Sequence, residues 1–332
     1  MKTDIFDDVL KQMNEKTSWV MLCHENPDGD TLGCALALYS LALRLGKGAR
    51  VCGKYKFPSR YDFLPYSDCY MQISSINDIE LEGALVISVD TSTLDRAVGG
   101  LSDLEARGTV VANIDHHADN SRYGKINIIV PEASATAEII TDLFISGGFG
   151  ITQNEANALY IALSTDNGNF RFSSTTPHSH ICASRLLAAG AEHARMDDCV
   201  NENLTISVLK LWGTAFLNAE LLLDGRAAIL WLTAADMKNA NADASSVDGL
   251  VNMLMRIRGV KVGVFLCETS TANKLSIRTR EPYSAREIAG IFNGGGHICA
   301  AGAKISGRFD DALSKVRTEL VKYVDDRDIA DK

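Results

Sequence analysis

Three short stretches carry the side chains best suited to chemistry. His24-Glu25-Asn26-Pro27-Asp28-Gly29-Asp30 sets an imidazole and two aspartates on one turn, where Pro27 restricts the backbone and Gly29 releases it. Asp90 directly follows the apolar run 84–89, and Asp115-His116-His117 directly follows the apolar run 109–114. A fourth group, Asp166, lies in Ser164-Thr165-Asp166-Asn167-Gly168, behind a helical pattern over 154–163. Taken alone, the first turn also suits a polar loop that caps the next helix, with Asp30 as N-cap. Recurrence of Asp and His after successive apolar runs points instead to one convergent site. So many carboxylates on one edge would repel each other, and divalent cations resolve that conflict. Mixed carboxylate and imidazole ligation suits manganese, with magnesium, cobalt and zinc as alternatives.

The elements that must position these groups alternate between strand and helix patterns. Residues 18–23, 49–53, 84–89 and 109–114 read as strands; 31–45, 133–146, 154–163 and 178–189 read as helices. This α/β alternation predicts a parallel, helix-covered sheet whose ligands bind beyond the carboxyl ends of the strands. A largely helical stretch, 191–218, separates this part from a smaller mixed α/β one. There, strands are expected over 226–232, 261–267 and 274–279. Helices are expected over 247–258, 284–292 and 310–324, with Ser284 and Glu287 forming a capping box. The predicted domains are therefore 1–190 and 219–332, joined by a helical linker 191–218.

At 332 residues, with 46% hydrophobic and 23% charged residues, the chain reads as a two-domain globular protein. A net charge of −9 argues against clamping long nucleic acid, yet not against a small polyanion bound through cations. The eight cysteines include no Cys-x-x-Cys pair and read as reduced thiols. No apolar run approaches the roughly 20 residues of a membrane span. The start of the chain shows no signal peptide, so the expected location is the cytoplasm and no membrane partner is expected.

The motif Asp115-His116-His117, together with His24…Asp28-Gly29-Asp30, Asp90 and Asp166 in that order, resembles the DHH family of phosphoesterases. Gly294-Gly295-Gly296-His297, followed by Ala300-Ala301-Gly302, resembles the glycine-rich motif of the DHH-associated C-terminal domain. Size and arrangement are most similar to the nanoRNase/pAp-phosphatase branch. The resemblance implies two divalent metal ions in an inter-domain cleft, one held by His24, Asp28 and Asp90, the other by Asp30, Asp90, His116 and Asp166. Asp90 would bridge them. It implies His117 as the catalytic group at the scissile phosphate or leaving oxygen, with Asp115 orienting its neighbours. Arg278, Gly294, Gly295, Gly296 and His297 would bind substrate, the glycines as a nest of backbone N–H groups.

The implied activity is hydrolysis of short oligoribonucleotides to mononucleotides, and of 3′-phosphoadenosine 5′-phosphate to AMP. Linear or cyclic signalling dinucleotides are the nearest alternative substrates. Type II inorganic pyrophosphatases share the first-domain motifs but lack a second domain of this kind. A RecJ-type exonuclease for long DNA would carry further modules, so no long duplex is expected as partner. A catalytically silent nucleotide sensor would have lost a metal ligand, and none is missing. A homodimer is compatible with the family. Arg96 and Arg171 read mainly as surface charges; Arg280 reads equally as a residue on the Arg278 face of the strand or as a solvated charge. Ser134 and Thr136 suit capping as well as the metal edge, and His178, His180 and His193 match no motif.

Overall fold

The computed structural model describes residues 3–330 apart from 101–103, 105–107, 202–204, 243, 248 and 297. The chain forms two compact units, Met1–Asn203 and Leu204–Lys332. In the first, strands β1 (Ser18–Leu22), β2 (Gly48–Gly53), β3 (Tyr70–Gln72), β4 (Ala84–Val89), β5 (Val110–Asp115) and β6 (Ile126–Ile129) form one sheet in the order β3-β2-β1-β4-β5-β6. Every pairing is parallel. Helices α1 (Asp7–Glu15), α2 (Gly29–Arg44), α3 (Thr136–Ser146), α4 (Gln153–Asp166), α5 (Pro177–Ala188) and α6 (His193–Asn201) complete the unit.

Side-chain alternation splits the sheet residues between two cores, as a period of two requires. Trp19, Met21, Leu85, Ile87, Ala112 and Ile114 pack with α1 to α5. Val20, Leu22, Ala84, Val86 and Val111 face Ile73, Ile76, Leu81 and Leu104. The second face is thus covered among the described residues by short 3-10 turns and loops rather than by long helices. Because β4 and β5 are buried along their whole length, they read as mainly apolar runs, interrupted by the buried Ser88 and Asn113.

The second unit contains α7 (Ile206–Leu217), β7 (Glu220–Leu222), β8 (Ala227–Leu232), α8 (Ala234–Asn239), α9 (Leu250–Leu254), β9 (Val262–Glu268), β10 (Asn273–Thr279), α10 (Ala285–Ile291), β11 (Gly295–Gly296), β12 (Ala300–Ile305) and α11 (Phe309–Ala330). Its sheet runs β11-β12-β10-β9-β8-β7, with β8 and β9 parallel and the other pairs antiparallel. One face packs on α10 and α11, the other on α7 and α9.

Several boundaries differ from the sequence expectation. The stretch 191–218 is divided, with α6 counted in the first unit and α7 in the second. The helix expected over 247–258 shrinks to α9 behind a 3-10 turn Ala244–Val247, because Gly249 takes φ +80 between them. The capping box expected at Ser284 closes through a third residue. Ser284 Oγ accepts from Glu287 N, but the Ser284 N–H donates to Tyr323 Oη (2.9 Å), which donates to Glu287 (2.6 Å). Strands β3, β6, β7, β11 and β12 escaped the pattern reading because they are short or glycine- and alanine-rich.

Candidate metal centre and active site

Register alone aligns three of the motifs. Leu22 pairs with Ser88 and Val89 with Ile114, so His24, Asp90 and Asp115 lie level at the carboxyl ends of β1, β4 and β5. These strands are adjacent, and neighbouring strands sit about 4.8 Å apart.

Asp90 takes φ +55, a left-handed conformation uncommon for a residue with a Cβ. Its N–H donates to Ile114 O (2.9 Å) and Thr136 Oγ1 donates to its Oδ1 (3.2 Å), which hold the turn and aim the carboxylate. The N-cap of α2 is Asp28, not Asp30: Asp28 Oδ1 accepts from the N–H groups of Asp30 (3.1 Å) and Thr31 (3.2 Å). Asp30 lies inside the first turn and is buried. Its two oxygens accept from Thr136 N (2.6 Å) and Ala137 N (3.0 Å), the open end of α3. That capture is why α3 begins at Thr136 and not at 133, since the first helical N–H groups need an acceptor.

Asp166 also departs from expectation. The helix α4 continues three residues past 163, so Asp166 ends a helix rather than occupying a loop. It reaches the site because α2 and α4 pack almost backbone to backbone. A Cβ at Gly33 would lie 2.3 Å from Ala158 O, and one at Gly29 would lie 2.3 Å from Thr165 Oγ1. Gly29 is therefore needed for space more than for backbone freedom.

The groups converge as two sets around Asp90. His24 Nε2 lies 3.6 Å from Asp28 Oδ1 and 3.4 Å from Asp90 Oδ2. His116 Nε2 lies 3.3 Å from Asp166 Oδ2 and 3.6 Å from Asp90 Oδ1. Potential ligand atoms of His24, Asp28 and Asp90 all fall within 4.8 Å of one another, as do those of Asp30, His116 and Asp166. Separations of 3.3–3.6 Å exceed a good hydrogen bond. They approach the roughly 3.0–3.4 Å that separates atoms sharing an ion at about 2.1 Å.

Electrostatics agree. Burial, then the charges of Asp90, Asp166 and Asp28, push the Asp30 carboxyl well above its ordinary range. Burial and neighbouring carboxylates carry Asp166 up to about 7 against the pull of His116. Burial alone would depress the His24 imidazole, yet hydrogen bonding to Asp28 and Asp90 raises it to about 9. Protons thus fill the place of missing positive charge. His116 Nδ1 meets Ala133 O at 3.1 Å, leaving Nε2 free to ligate, the usual second contact of a metal-binding imidazole. The residues present therefore fit divalent cations.

Asp115 is fully buried and serves as a hydrogen-bond hub. Its Oδ1 accepts from His116 N (2.8 Å), His117 N (3.2 Å) and His117 Nδ1 (2.7 Å); its Oδ2 accepts from Asn120 Nδ2 (2.5 Å). Burial opposes protonation of His117, but the Asp115 hydrogen bond and the Asp90 charge raise it to about 9. Behind this pair, Asn120 donates to Asn113 Oδ1 (2.8 Å), Asn113 to Tyr123 Oη (3.1 Å), and Tyr123 to Ser88 Oγ (2.7 Å). Sequence reasoning missed Asn113, Asn120, Tyr123 and Gly33; the signal available was a polar Asn inside an otherwise apolar β5. Thr136 belongs to the centre, whereas Ser134 donates to Glu138 Oε1 beside it. Arg171 Nε donates to its own loop at Gly168 O (2.8 Å).

In the second unit, Arg278 is half-buried on β10 and donates to Ile277 O (3.0 Å). Arg280 donates to Met255 O (2.7 Å), a structural contact. Gly295 and Gly296 are neither a helix cap nor a loose turn but the edge strand β11, paired with Gly302 and Ala301. A Cβ at Gly294 would meet Gly302 O at 2.2 Å, and Gly296 takes φ +142 against Ala301, so close backbone approach accounts for both. His297 lies outside the described residues.

Carboxylates and imidazoles converging on the carboxyl edge of a parallel sheet define the class, a hydrolase that works on phosphate esters with divalent metal ions. The description "DHH family, N-terminal domain" matches residues 18–163 and "DHHA1 domain" matches 225–322. The chain is 33% identical to the bifunctional oligoribonuclease and PAP phosphatase NrnA of Thermus thermophilus, across 90% of this chain and 89% of that protein. It is 28% identical to the protein of the same name from Bacillus subtilis, across 92% and 93%. The crystal structure of an exopolyphosphatase-related protein from Bacteroides fragilis superposes with a TM-score of 0.90 at 26% identity, covering 97% of each chain. The chain belongs to the DHH family of phosphoesterases.

Proposed function

We propose that this protein hydrolyses short oligoribonucleotides to mononucleotides and 3′-phosphoadenosine 5′-phosphate to AMP. The names of the Thermus and Bacillus relatives support that substrate class. One observation carries the assignment of the centre: the two oxygens of Asp90 face opposite imidazoles, His24 and His116. A carboxylate so placed joins two cation sites. His24, Asp28 and Asp90 would hold one ion, and Asp30, Asp90, His116 and Asp166 the other, with manganese the best match to the donor set. When bound, the ions supply positive charge that offsets the phosphate and favours ionisation of the attacking water.

The chain's own residues do the rest. His117, held at Nδ1 by Asp115, donates a proton from Nε2 to the leaving alkoxide. Asp115 acts through His117 and is a positioning residue. The open end of α3 holds Asp30 in place through two N–H donors, which favour its charged form against the burial and like charges that raise its pKa. Arg278 binds a substrate phosphate through its planar fork, and the glycine strand β11 and His297 complete substrate recognition. A cytoplasmic location is part of the same proposal, in keeping with eight free cysteines. No helix among the described residues is long and apolar enough to cross a membrane.

The test is a side-by-side rate comparison with manganese on a dinucleotide, longer RNA, 3′-phosphoadenosine 5′-phosphate, a cyclic dinucleotide and pyrophosphate. The dinucleotide and 3′-phosphoadenosine 5′-phosphate should be preferred, and Arg278→Ala should raise KM for them without changing metal content. Preference for pyrophosphate or a cyclic dinucleotide would overturn the substrate assignment.

A further inference from the structure

A second cluster of metal-ligating side chains lies outside the centre described above. Asp142 projects from α3; His178 and Cys182 project from α5 at positions i and i+4, which share one helix face. His178 Nε2 lies 2.8 Å from Asp142 Oδ2 and 3.5 Å from Cys182 Sγ, and ligand atoms of all three fall within 4.8 Å of one another. Cys182 and Asp142 are buried, while the His178 side chain is 31% exposed and leaves a path from solvent. Arg185 donates to the other oxygen of Asp142 (3.0 Å), which turns Oδ2 toward the cluster.

As a purely hydrogen-bonded group the trio is poorly matched. If Nε2–H donates to Asp142, it offers no lone pair to the thiol. Among the described residues Cys182 Sγ meets no other polar partner. Burial, followed by the charges of Asp142 and Glu138, pushes this thiol far up, so without a cation the sulfur stays protonated and is no nucleophile.

We infer that Asp142, His178 and Cys182 form a second metal site, of the zinc class and distinct from the carboxylate-rich centre. One thiolate, one imidazole and one carboxylate favour a softer ion than manganese. On binding, the Cys182 S–H bond breaks and its proton leaves to solvent. His178 takes the Nδ1–H tautomer and presents its Nε2 lone pair. Two anionic ligands then balance the ion's charge, with a fourth position open to water. The ion would tie α5 to α3, whose first turn holds Asp30, and so stiffen one wall of the catalytic centre.

Cadmium is the probe, because its bond to a thiolate gives an ultraviolet charge-transfer band that carboxylates and imidazoles lack. Titrating the intact protein should develop that band to one equivalent. His178→Asn and Cys182→Ser should each abolish it or weaken binding by more than about 100-fold, beyond the loss expected from removing an outer-sphere partner. Asp90→Asn should retain it. His178 is partly exposed, so His178→Asn should fold, and its manganese-supported turnover should stay near wild type. An equal band in wild type and both cluster variants, or no thiolate band at all, would overturn the site. Loss of the band in Asp90→Asn but not in the cluster variants would overturn the proposal and place the cadmium at the first centre, with Cys34, whose Sγ lies 3.5 Å from Asp30 Oδ1, as its thiolate.

Discussion

Asp115→Asn separates positioning from catalysis. The carboxylate accepts four N–H groups: two from backbone, one from His117 Nδ1 and one from Asn120. An asparagine keeps one acceptor oxygen. If that oxygen stays toward the histidines, its NH2 confronts the Asn120 NH2, and a buried donor is stranded at about 1–3 kcal/mol. The bond to His117 also loses its charge assistance. A charge-assisted hydrogen bond contributes about 1.5–3 kcal/mol, so kcat should fall by roughly 10- to 150-fold if His117 is the proton donor. Metal content should not change, because the His116 ring is oriented separately by Ala133 O. The assay pairs kcat on a dinucleotide with elemental analysis, in wild type, Asp115→Asn, His117→Ala and the double variant. If Asp115 acts through His117, Asp115→Asn should cost almost nothing further in kcat once His117 is alanine. Multiplying losses in the double variant, or loss of metal from Asp115→Asn, would refute the reasoning.

Asp90→Asn removes the charge shared by both sites, so the folded variant should lose at least one metal ion and nearly all turnover; two bound ions with full activity would remove Asp90 from the centre. Metal affinity should rise with pH, because the metal-free His24 holds a proton up to about 9 and Asp166 holds one up to about 7. Asp30, whose carboxyl is also raised, adds to the protons the ions must displace; calorimetry in buffers of different ionisation enthalpy would report the released protons, and a pH-independent affinity would contradict it. Gly33→Ala should destabilise by about 1–3 kcal/mol despite alanine's better helix propensity, since its Cβ would press on Ala158 O. Thermal unfolding of the metal-free protein reads this directly, and a stabilised variant would disprove the close approach of α2 and α4.

Much of the centre was legible from the chain because strand ends are local signals. An apolar run that stops at a polar turn marks the carboxyl edge of a parallel sheet, and that rule alone brought together His24, Asp28, Asp30, Asp90, Asp115, His116 and His117. The α/β class followed from the same alternation. What the pattern lacked was whatever depends on residues far apart in the chain. Asp28 rather than Asp30 caps α2 because the α3 N–H groups, more than 100 residues away, claim the Asp30 carboxylate. Asp166 closes the site only because Gly29 and Gly33 let α4 lie against α2. Gly295 and Gly296, readable from the sequence as part of a cap or a turn, form a strand because β12 supplies a partner. Likewise Asp142, His178 and Cys182 match no motif, since the pairing of α3 with α5 is what assembles them. Periodicity and capping act over a few residues and are written in the neighbouring side chains. Which carboxylate an exposed helix end captures, and how closely two helices approach, are set by packing, where a missing Cβ or a buried charge is felt only after the chain has closed on itself.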